Sequence, residues 1–496
     1  TKLGSSGSVD LISCRMVVDG PLTRNSAFML GGRMVHPYGT RWLLESRLPY
    51  RYADLVGRID ADLGEDHGVA LTGFWNREAV DWSLAMPDES ANWGNAAASL
   101  RYRGSVLGGD VEILAAYGDY SARLPYRGNL ADARARRMRM AADLTRDGGA
   151  ARFDYGLSFE RIMLDYSVSP ALRTADAMLL ETSAEGQVAG AYLEADWQPA
   201  ERWRIRSGGR VDVFSTDGVP RGAPRLSVTW LASDRASLTL AAGRYRQFIR
   251  ASEPYGADST LASVYVPPPL TLAGASHLLL ALDQDLGEGL RLGIEGFYKD
   301  FDDLPQETSL IAKGGDQGRT TAGARASGVD LWVRRGEGRV TGWLGYSLSW
   351  VWADLGREGG DSFSGRQLLS VGLKGPIGAR GQFGVRVAYG AGLPYTAIPQ
   401  VDFVAEQPFS SPDSPRLSNG TDLVSVTTGA PPYAASRPEE PYLRLDLEVS
   451  HPWTMEWGSR EVIFSPYLMV LNALDRRDAL FYHAPGDGSE PDFLQK

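Results

Sequence analysis

Trp203-Arg204-Ile205-Arg206-Ser207-Gly208-Gly209-Arg210-Val211-Asp212-Val213-Phe214 decides the fold class. Trp203, Ile205, Val211 and Val213 occupy one set of alternate positions, and Arg204, Arg206, Arg210 and Asp212 the other. Successive side chains of an extended strand point to opposite faces, so a strand here has one greasy and one charged side. The pattern recurs outward from this stretch. Phe153, Tyr155, Leu157 and Phe159 alternate with Arg152, Asp154, Ser158 and Glu160. Leu290, Leu292, Ile294 and Tyr298 stand against Arg291, Glu295 and Lys299. Leu344, Tyr346, Leu348 and Trp350 face away from Gly345, Ser347 and Ser349, as do Leu443, Leu445, Leu447 and Val449 from Arg444, Asp446 and Glu448.

Turn chemistry joins these strands into hairpins. Short polar or Gly-rich links fall at 20–25, 64–67, 104–109, 146–150, 199–202, 233–235, 287–289, 336–338, 375–381 and 453–459. Longer connections, richer in Pro, Ser and aromatics, fall at 37–50, 79–92, 167–185, 249–275, 304–322 and 393–441. Strict alternation of short and long puts every long connection on one rim, as in bacterial outer-membrane barrels. The expected fold is all-β: a transmembrane antiparallel β-barrel of about 21 strands, one short of about 22. A β-propeller or a row of sandwiches would also give many strands with turns. Against them stand the lack of a fixed repeat, strands longer than ten residues, and charges of both signs along whole strands. Trp197, Trp203, Trp230, Trp350, Trp352 and Trp453 also cluster near strand ends, where interfacial girdles belong.

Composition agrees. The chain has 496 residues, 57 of them Gly, and 43% are hydrophobic. It has no run of ~18 apolar residues to form a membrane helix. A mean hydropathy of -0.23 suits strands that show lipid only every second residue. A net charge of -10 argues against nucleic acid as a partner. Cys14 is the single cysteine, which excludes an intramolecular disulfide and a cysteine zinc site. His36, His67, His277, His451 and His483 lack metal-ligand spacing, and no cofactor is expected. No leader precedes the opening residues, so a processed or partial chain is expected.

Several segments resemble the barrel of TonB-dependent outer-membrane receptors. Residues 7–22 (GSVDLISCRMVVDGPL) resemble the family's first two strands and first periplasmic turn. Asn92-Trp93-Gly94-Asn95 resembles the start of a descending strand. Gly243-Arg244-Tyr245-Arg246-Gln247, Ala275-Ser276-His277 and Gly296-Phe297-Tyr298-Lys299-Asp300 have counterparts in middle strands. Asn472-Ala473-Leu474-Asp475-Arg476-Arg477 is similar to the N-L-x-D segment ending the next-to-last strand. The resemblance spans essentially the whole chain, read as one barrel domain over 1–496, with the family's N-terminal plug and last strand expected to lie outside it.

The resemblance implies energised, plug-gated uptake of a scarce nutrient (siderophore, cobalamin, oligosaccharide or peptide) across the outer membrane. Implied partners are outer-membrane lipid and lipopolysaccharide, the TonB-ExbB-ExbD complex acting through a plug, and a small-molecule, glycan or peptide ligand. A surface lipoprotein or envelope subunit is a further partner to consider. The alternatives are a passive channel or a barrel serving as a structural or secretion partner. Large aromatics on the long connections, Trp42, Trp82, Tyr255, Tyr265 and Tyr395, are the candidates for substrate contact. Lumen charges, grouped as Arg204/Asp212 and Arg444/Asp446, would face a plug or neutralise each other in a wet lumen. No enzyme is expected. Ser263, His277 and Asp283 are near in sequence but match no nucleophile–base–acid motif.

Overall fold

The computed structural model describes residues 2–36, 38, 50–81, 90–106, 108–126, 129–170, 180–249, 271–305, 321–353, 362–391, 398–399, 402–405, 423–426, 441–458, 460–476, 479–484 and 492–495. The first strands are β1 (Gly4–Val9), β2 (Ser13–Thr23), β3 (Ser26–Val35), β4 (Tyr50–Asp62) and β5 (Gly68–Asp81). Longer ones follow: β6 (Ser90–Val106), β7 (Gly109–Tyr126), β8 (Asn129–Asp147), β9 (Ala151–Pro170) and β10 (Leu180–Ala200). Next come β11 (Trp203–Phe214), β12 (Pro220–Ser233), β13 (Ala236–Ile249), β14 (Thr271–Gly287) and β15 (Leu290–Pro305). β16 (Thr321–Arg335), β17 (Thr341–Ala353), β18 (Ser362–Ile377) and β19 (Gly381–Ala391) complete the unbroken run. Three short strands, β20 (Ile398–Pro399), β21 (Asp402–Ala405) and β22 (Leu423–Val426), lie outside the main sheet. The rest are β23 (Tyr442–Ser450), β24 (Trp453–Trp457), β25 (Arg460–Phe464), β26 (Tyr467–Val470), β27 (Ala479–Ala484) and β28 (Asp492–Gln495).

Each strand from β1 to β19 pairs antiparallel with the next in sequence. β19 then pairs with β23 and β23 with β26, giving one 21-stranded sheet. The edges are β1 and β26. Tyr467 Oη on β26 donates to Asp10 Oδ2 in the β1–β2 turn at 3.3 Å, which brings the two edges together at that corner, although no backbone ladder joins β1 to β26 among the described residues. A curled antiparallel meander of this many strands has the architecture of a barrel wall.

Register fixes which side of each strand faces out. Directly opposed residues of antiparallel neighbours share a face. The row Ile59, Leu71, Leu100, Ala115, Met140, Phe159, Ala189 therefore runs round β4–β10 on one side of the wall. Its large members are 41–56% exposed, as are comparable side chains on the other strands. Water does not tolerate an apolar band of this extent, but a bilayer does. This is the lipid face, and the alternate positions face the lumen.

Several strands are longer than a membrane crossing. β8, β9 and β10 have 19, 20 and 21 residues, against roughly 9–11 needed to cross. On β9 the outer face changes from Leu157 and Phe159 to Arg161 and Asp165. There Arg136 meets Asp165 at 2.6 Å and Arg161 meets Glu185 at 2.8 Å, so the wall continues past the hydrocarbon as a charged collar.

One rim has tight connections at 24–25, 63–67, 107–108, 148–150, 201–202, 234–235, 288–289, 336–340 and 378–380, and the β24–β25 hairpin between β23 and β26. At 287–289 three consecutive residues, Gly287, Glu288 and Gly289, have φ of 84°, 52° and 72°, a left-handed path that glycine enters without steric cost. The other rim departs from the strict alternation expected of the sequence. Its connections at 10–12, 127–128 and 215–219 are short as well, because β1/β2, β7/β8 and β11/β12 form tight hairpins there. Gly and Asx residues mark both kinds of turn, so composition alone did not separate the two rims at these places.

Candidate functional site

On β3–β11 the lumen face is a lattice of ion pairs. Arg33 Nε donates to Asp54 Oδ2 at 3.0 Å, and its Nη2 donates to Tyr52 Oη at 2.7 Å while Cζ lies 4.6 Å from the centre of the Tyr52 ring. Tyr52 Oη in turn donates to Asp54 Oδ2 at 2.5 Å. Next to it, Tyr50 Oη donates to Glu78 Oε2 at 2.7 Å and Asn76 Nδ2 to Glu78 Oε1 at 3.3 Å. Further round, Glu112 takes Arg101 at 3.3 Å and Arg103 at 2.8 Å, and Arg137 reaches Glu160 at 2.6 Å. Tyr192 Oη donates to Asp143 Oδ1 at 2.6 Å. Carboxylates and guanidiniums opposed across ladder rows neutralise one another in a setting less polar than bulk water.

The expected grouping of Arg204 with Asp212 is corrected here. Eight residues of strand, about 27 Å, separate them along β11. Arg204 instead pairs with Asp196 on β10, and Arg206 bonds the same carboxylate at 3.2 Å and Glu194 at 3.0 Å. Asp212, nearly buried, accepts from Arg210 at 2.7 Å, and Arg210 also donates to Ser158 Oγ at 2.7 Å. The pairing that sequence alone missed is diagonal and cross-strand, and only the register reveals it. Arg444 and Asp446 do pair, at 2.7 Å, and Asp446 also accepts from the backbone N of Asn472 at 2.9 Å. Asn472, at φ 53°, thus caps the lumen face of β23 from the motif that follows β26.

The wall formed by β12–β15 is chemically different. Arg225 on β12, Gly243 on β13, His277 on β14 and Lys299 on β15 form one lumen-facing row. The Arg225 guanidinium lies 4.9 Å from the Tyr245 ring centre, and Lys299 Nζ lies 4.7 Å from that of Phe297. Tyr245 and His277 are 4.7 Å apart between ring centres, and Phe301 lies 6.2 Å beyond His277, edge to face. The rings sit low because glycines lie beneath them. A Cβ on Gly328 would come within 2.7 Å of Phe297 Cζ and 2.6 Å of the Leu348 carbonyl oxygen. Sequence reading placed Tyr245, His277, Phe297 and Lys299 in segments resembling the family's middle strands, and weighed His277 as a catalytic base, but did not group them as a site. No acid lies on the strands adjoining Arg225 and Lys299 in their ladder row, and the nearest one in it, Glu194, is already taken by Arg206, which becomes visible only once the register is known.

Outside the strands, the Asp10 carboxyl lies at the seam. Burial pushes its pKa up, but donors from Ile12 N, Ser13 N, Ser13 Oγ and Tyr467 outweigh that and hold it below the usual carboxylate range. Trp42, Trp82, Tyr255, Tyr265 and Tyr395 lie outside the described residues, as does Ser263. His277 and Asp283 lie on the same face of β14 but about 20 Å apart, too far to act as a base and its orienting acid. Among the described residues, no group of His, Cys, Asp and Glu could hold a metal ion.

The family model for TonB dependent receptor-like β-barrels matches residues 25–462. No curated protein sequence matches the chain. Among solved structures, the copper transporter OprC is similar at TM-score 0.64 and 14% identity, over 100% of this chain and 79% of that one. A mutant of the ferric enterobactin receptor PfeA from Pseudomonas aeruginosa gives TM-score 0.61 and 12% identity over 98% and 76%. The outer membrane transporter YddB from Escherichia coli gives 0.58 and 10% over 97% and 73%. At such identities the likeness is one of fold.

Proposed function

Because this chain belongs to the TonB-dependent receptor-like β-barrel family, and so spans the outer membrane, we propose that it walls an energised, plug-gated uptake path for a scarce nutrient. The observation that carries this reading is the family match over nearly the whole chain, on a barrel whose 21 strands enclose a polar lumen. Barrels of about 22 strands have a lumen wide enough to need a plug, and left open they would leak periplasmic solutes. The nutrient is a siderophore, cobalamin, an oligosaccharide or a peptide, taken from the outer rim, and TonB-ExbB-ExbD drives its passage. In this reading Trp42, Trp82, Tyr255, Tyr265 and Tyr395 offer stacking surfaces to the nutrient at the outer rim. Arg204, Asp212, Arg444 and Asp446 line the wall that a plug would touch, while lipopolysaccharide packs against the charged collar.

The test is accumulation of candidate nutrients by cells that carry or lack the gene, with and without a protonophore and with TonB inactivated. Gene-dependent accumulation that collapses under both treatments is the expected result. Gene-dependent entry that survives both would make the barrel a passive channel. If accumulation does not depend on the gene while envelope subunits co-purify with the barrel, it is a structural or secretion partner.

A further inference from the structure

We propose that the lumen wall at Arg225, Tyr245, His277, Phe297, Lys299 and Phe301 is a binding subsite for a planar aromatic anion, such as an aryl carboxylate. This deepens the uptake reading and rests on it for its biological role, but the binding itself is testable without transport. Three observations converge on the site.

The first is charge. Arg225 and Lys299 make no ion pair with any described residue, and each lies over a ring instead. The acids next to Lys299 in sequence, Asp300 and Asp302, lie on the opposite, outward face, where Arg325 and Arg244 take them at 3.3 Å and 2.6 Å. Glu295 is on the lumen face but four residues down β15, about 13 Å away. Two cations are therefore left without an acid on one stretch of wall, each on a ring, whereas Arg386, another lumen cation lying over a ring, faces Asp446 across its ladder.

The second is shape. Three ladder steps, about 14 Å, separate the Arg225 and Lys299 backbones; the rings of Tyr245 and His277 fill the strands between them, and Phe301 extends the ring surface along β15 beside Lys299. A planar ligand can stack on this surface while its anionic edge meets a guanidinium or ammonium at either end. Cation and ring already contacting each other favour an aromatic anion over a compact inorganic one.

The third is an unmet donor or acceptor. His277 Nε2 is shielded from solvent and has no hydrogen-bond partner among the described residues. Such a nitrogen costs stability until something bonds it. An oxygen of a ligand inserted beside Tyr245 would do so. The row also lies just above Leu226, Leu278 and Tyr298 of the lipid face, near the outer end of the lumen, where an incoming solute arrives first.

The experiment is equilibrium binding of benzoate, benzamide and benzylamine to the full-length protein purified in detergent micelles, read by saturation-transfer NMR and repeated across salt concentrations. Benzoate should bind saturably, at least tenfold more tightly than benzamide or benzylamine, and weaken as salt rises. Arg225→Gln combined with Lys299→Gln should lose benzoate binding tenfold or more. Arg225→Lys combined with Lys299→Arg should keep most of it, and Arg380→Gln, in a tight turn on the far rim, should leave it unchanged. Heat-modifiable migration on gels shows that each variant is a folded barrel. The proposal is overturned if benzoate and benzamide bind equally, if the Gln pair retains binding while folded, or if no probe binds the wild-type protein, as when another protein segment covers the wall. Failure here together with TonB-dependent accumulation in cells would remove the subsite and leave the uptake reading standing. Benzoate binding without energised accumulation would do the reverse.

Discussion

Two arcs of one wall handle charge in opposite ways. From β3 to β11, most lumen arginines are held by a carboxylate, either one strand away (Arg33 by Asp54, Arg103 by Glu112, Arg137 by Glu160, Arg204 by Asp196) or two residues along the same strand (Arg58 by Asp60, Arg210 by Asp212). From β12 to β15, Arg225 and Lys299 rest on aromatic rings with no acid at hand. Both arcs have the same strand geometry, the same antiparallel register and the same apolar outer face. The fold therefore does not require either solution. The paired arc spends its charge on the wall itself, whereas the other keeps charge available to whatever enters the lumen. A barrel can be stable with either, and the second leaves its cations for the proposed anion.

Removing one acid from the paired arc is the sharpest way to test the contrast. Asp196→Asn strips the partner from both Arg204 and Arg206, and the Asp196 side chain is only 9% exposed while the arginines are 61% and 53% exposed. Solvent screens much of the resulting imbalance, so the expected loss is about 1–2 kcal/mol. A urea midpoint lowered relative to wild type, for the barrel in micelles, would register it. If the midpoint does not move, the lattice is ornamental to stability and the contrast between the arcs loses its energetic half.

The matching substitution on the other arc should cost less. Arg225→Gln breaks no ion pair and loses only a solvent-facing cation–ring contact, which amounts to about 0.5–1 kcal/mol. The same urea titration checks it. A loss as large as that of Asp196→Asn would mean Arg225 has a structural partner, and the two arcs would then be alike.

How much of this could be read in the chain follows from the period of a strand. Alternation in 203–214 or 443–449 sorts residues into two faces without any structure, and composition says which face meets lipid. That was enough for the barrel, for about 21 strands, and for placing Arg204, Asp212, Arg444 and Asp446 on the polar side. Partnership was not legible, because Arg204 finds Asp196 eight positions back across a tight turn and Arg244 finds Asp302 across two strands. Such contacts depend on register, which one bulge can shift, as between Trp197 and Ala200. The tight hairpin at 127–128 lies between strands of 18 and 19 residues that run on beyond the membrane, and charged residues on a projecting strand look like loop.

The smallest effect belongs outside both arcs, at the edges of the sheet. At β11–β12 a full ladder joins the arcs from Trp203–Trp230 to Val213–Pro220. The sheet's edges are joined differently: Tyr467 on β26 donates a hydrogen bond to Asp10 in the β1–β2 turn. Asp10 sits in a turn, and its donors hold its pKa below the ordinary carboxylate range of about 3.9. A depressed folded pKa means the contribution is fully present above the unfolded value and is lost as pH falls through the folded one. At pH 7, Asp10→Asn should therefore lower stability by about 0.5–1 kcal/mol, since an amide accepts these hydrogen bonds more weakly than a carboxylate. As pH falls through the folded pKa the difference between variant and wild type should vanish, because the wild-type carboxyl is then neutral as well. Urea midpoints of both proteins across that range decide it. A difference that persists at low pH would mean that Asp10 holds the turn by shape, leaving the edges to be joined by something other than its charge.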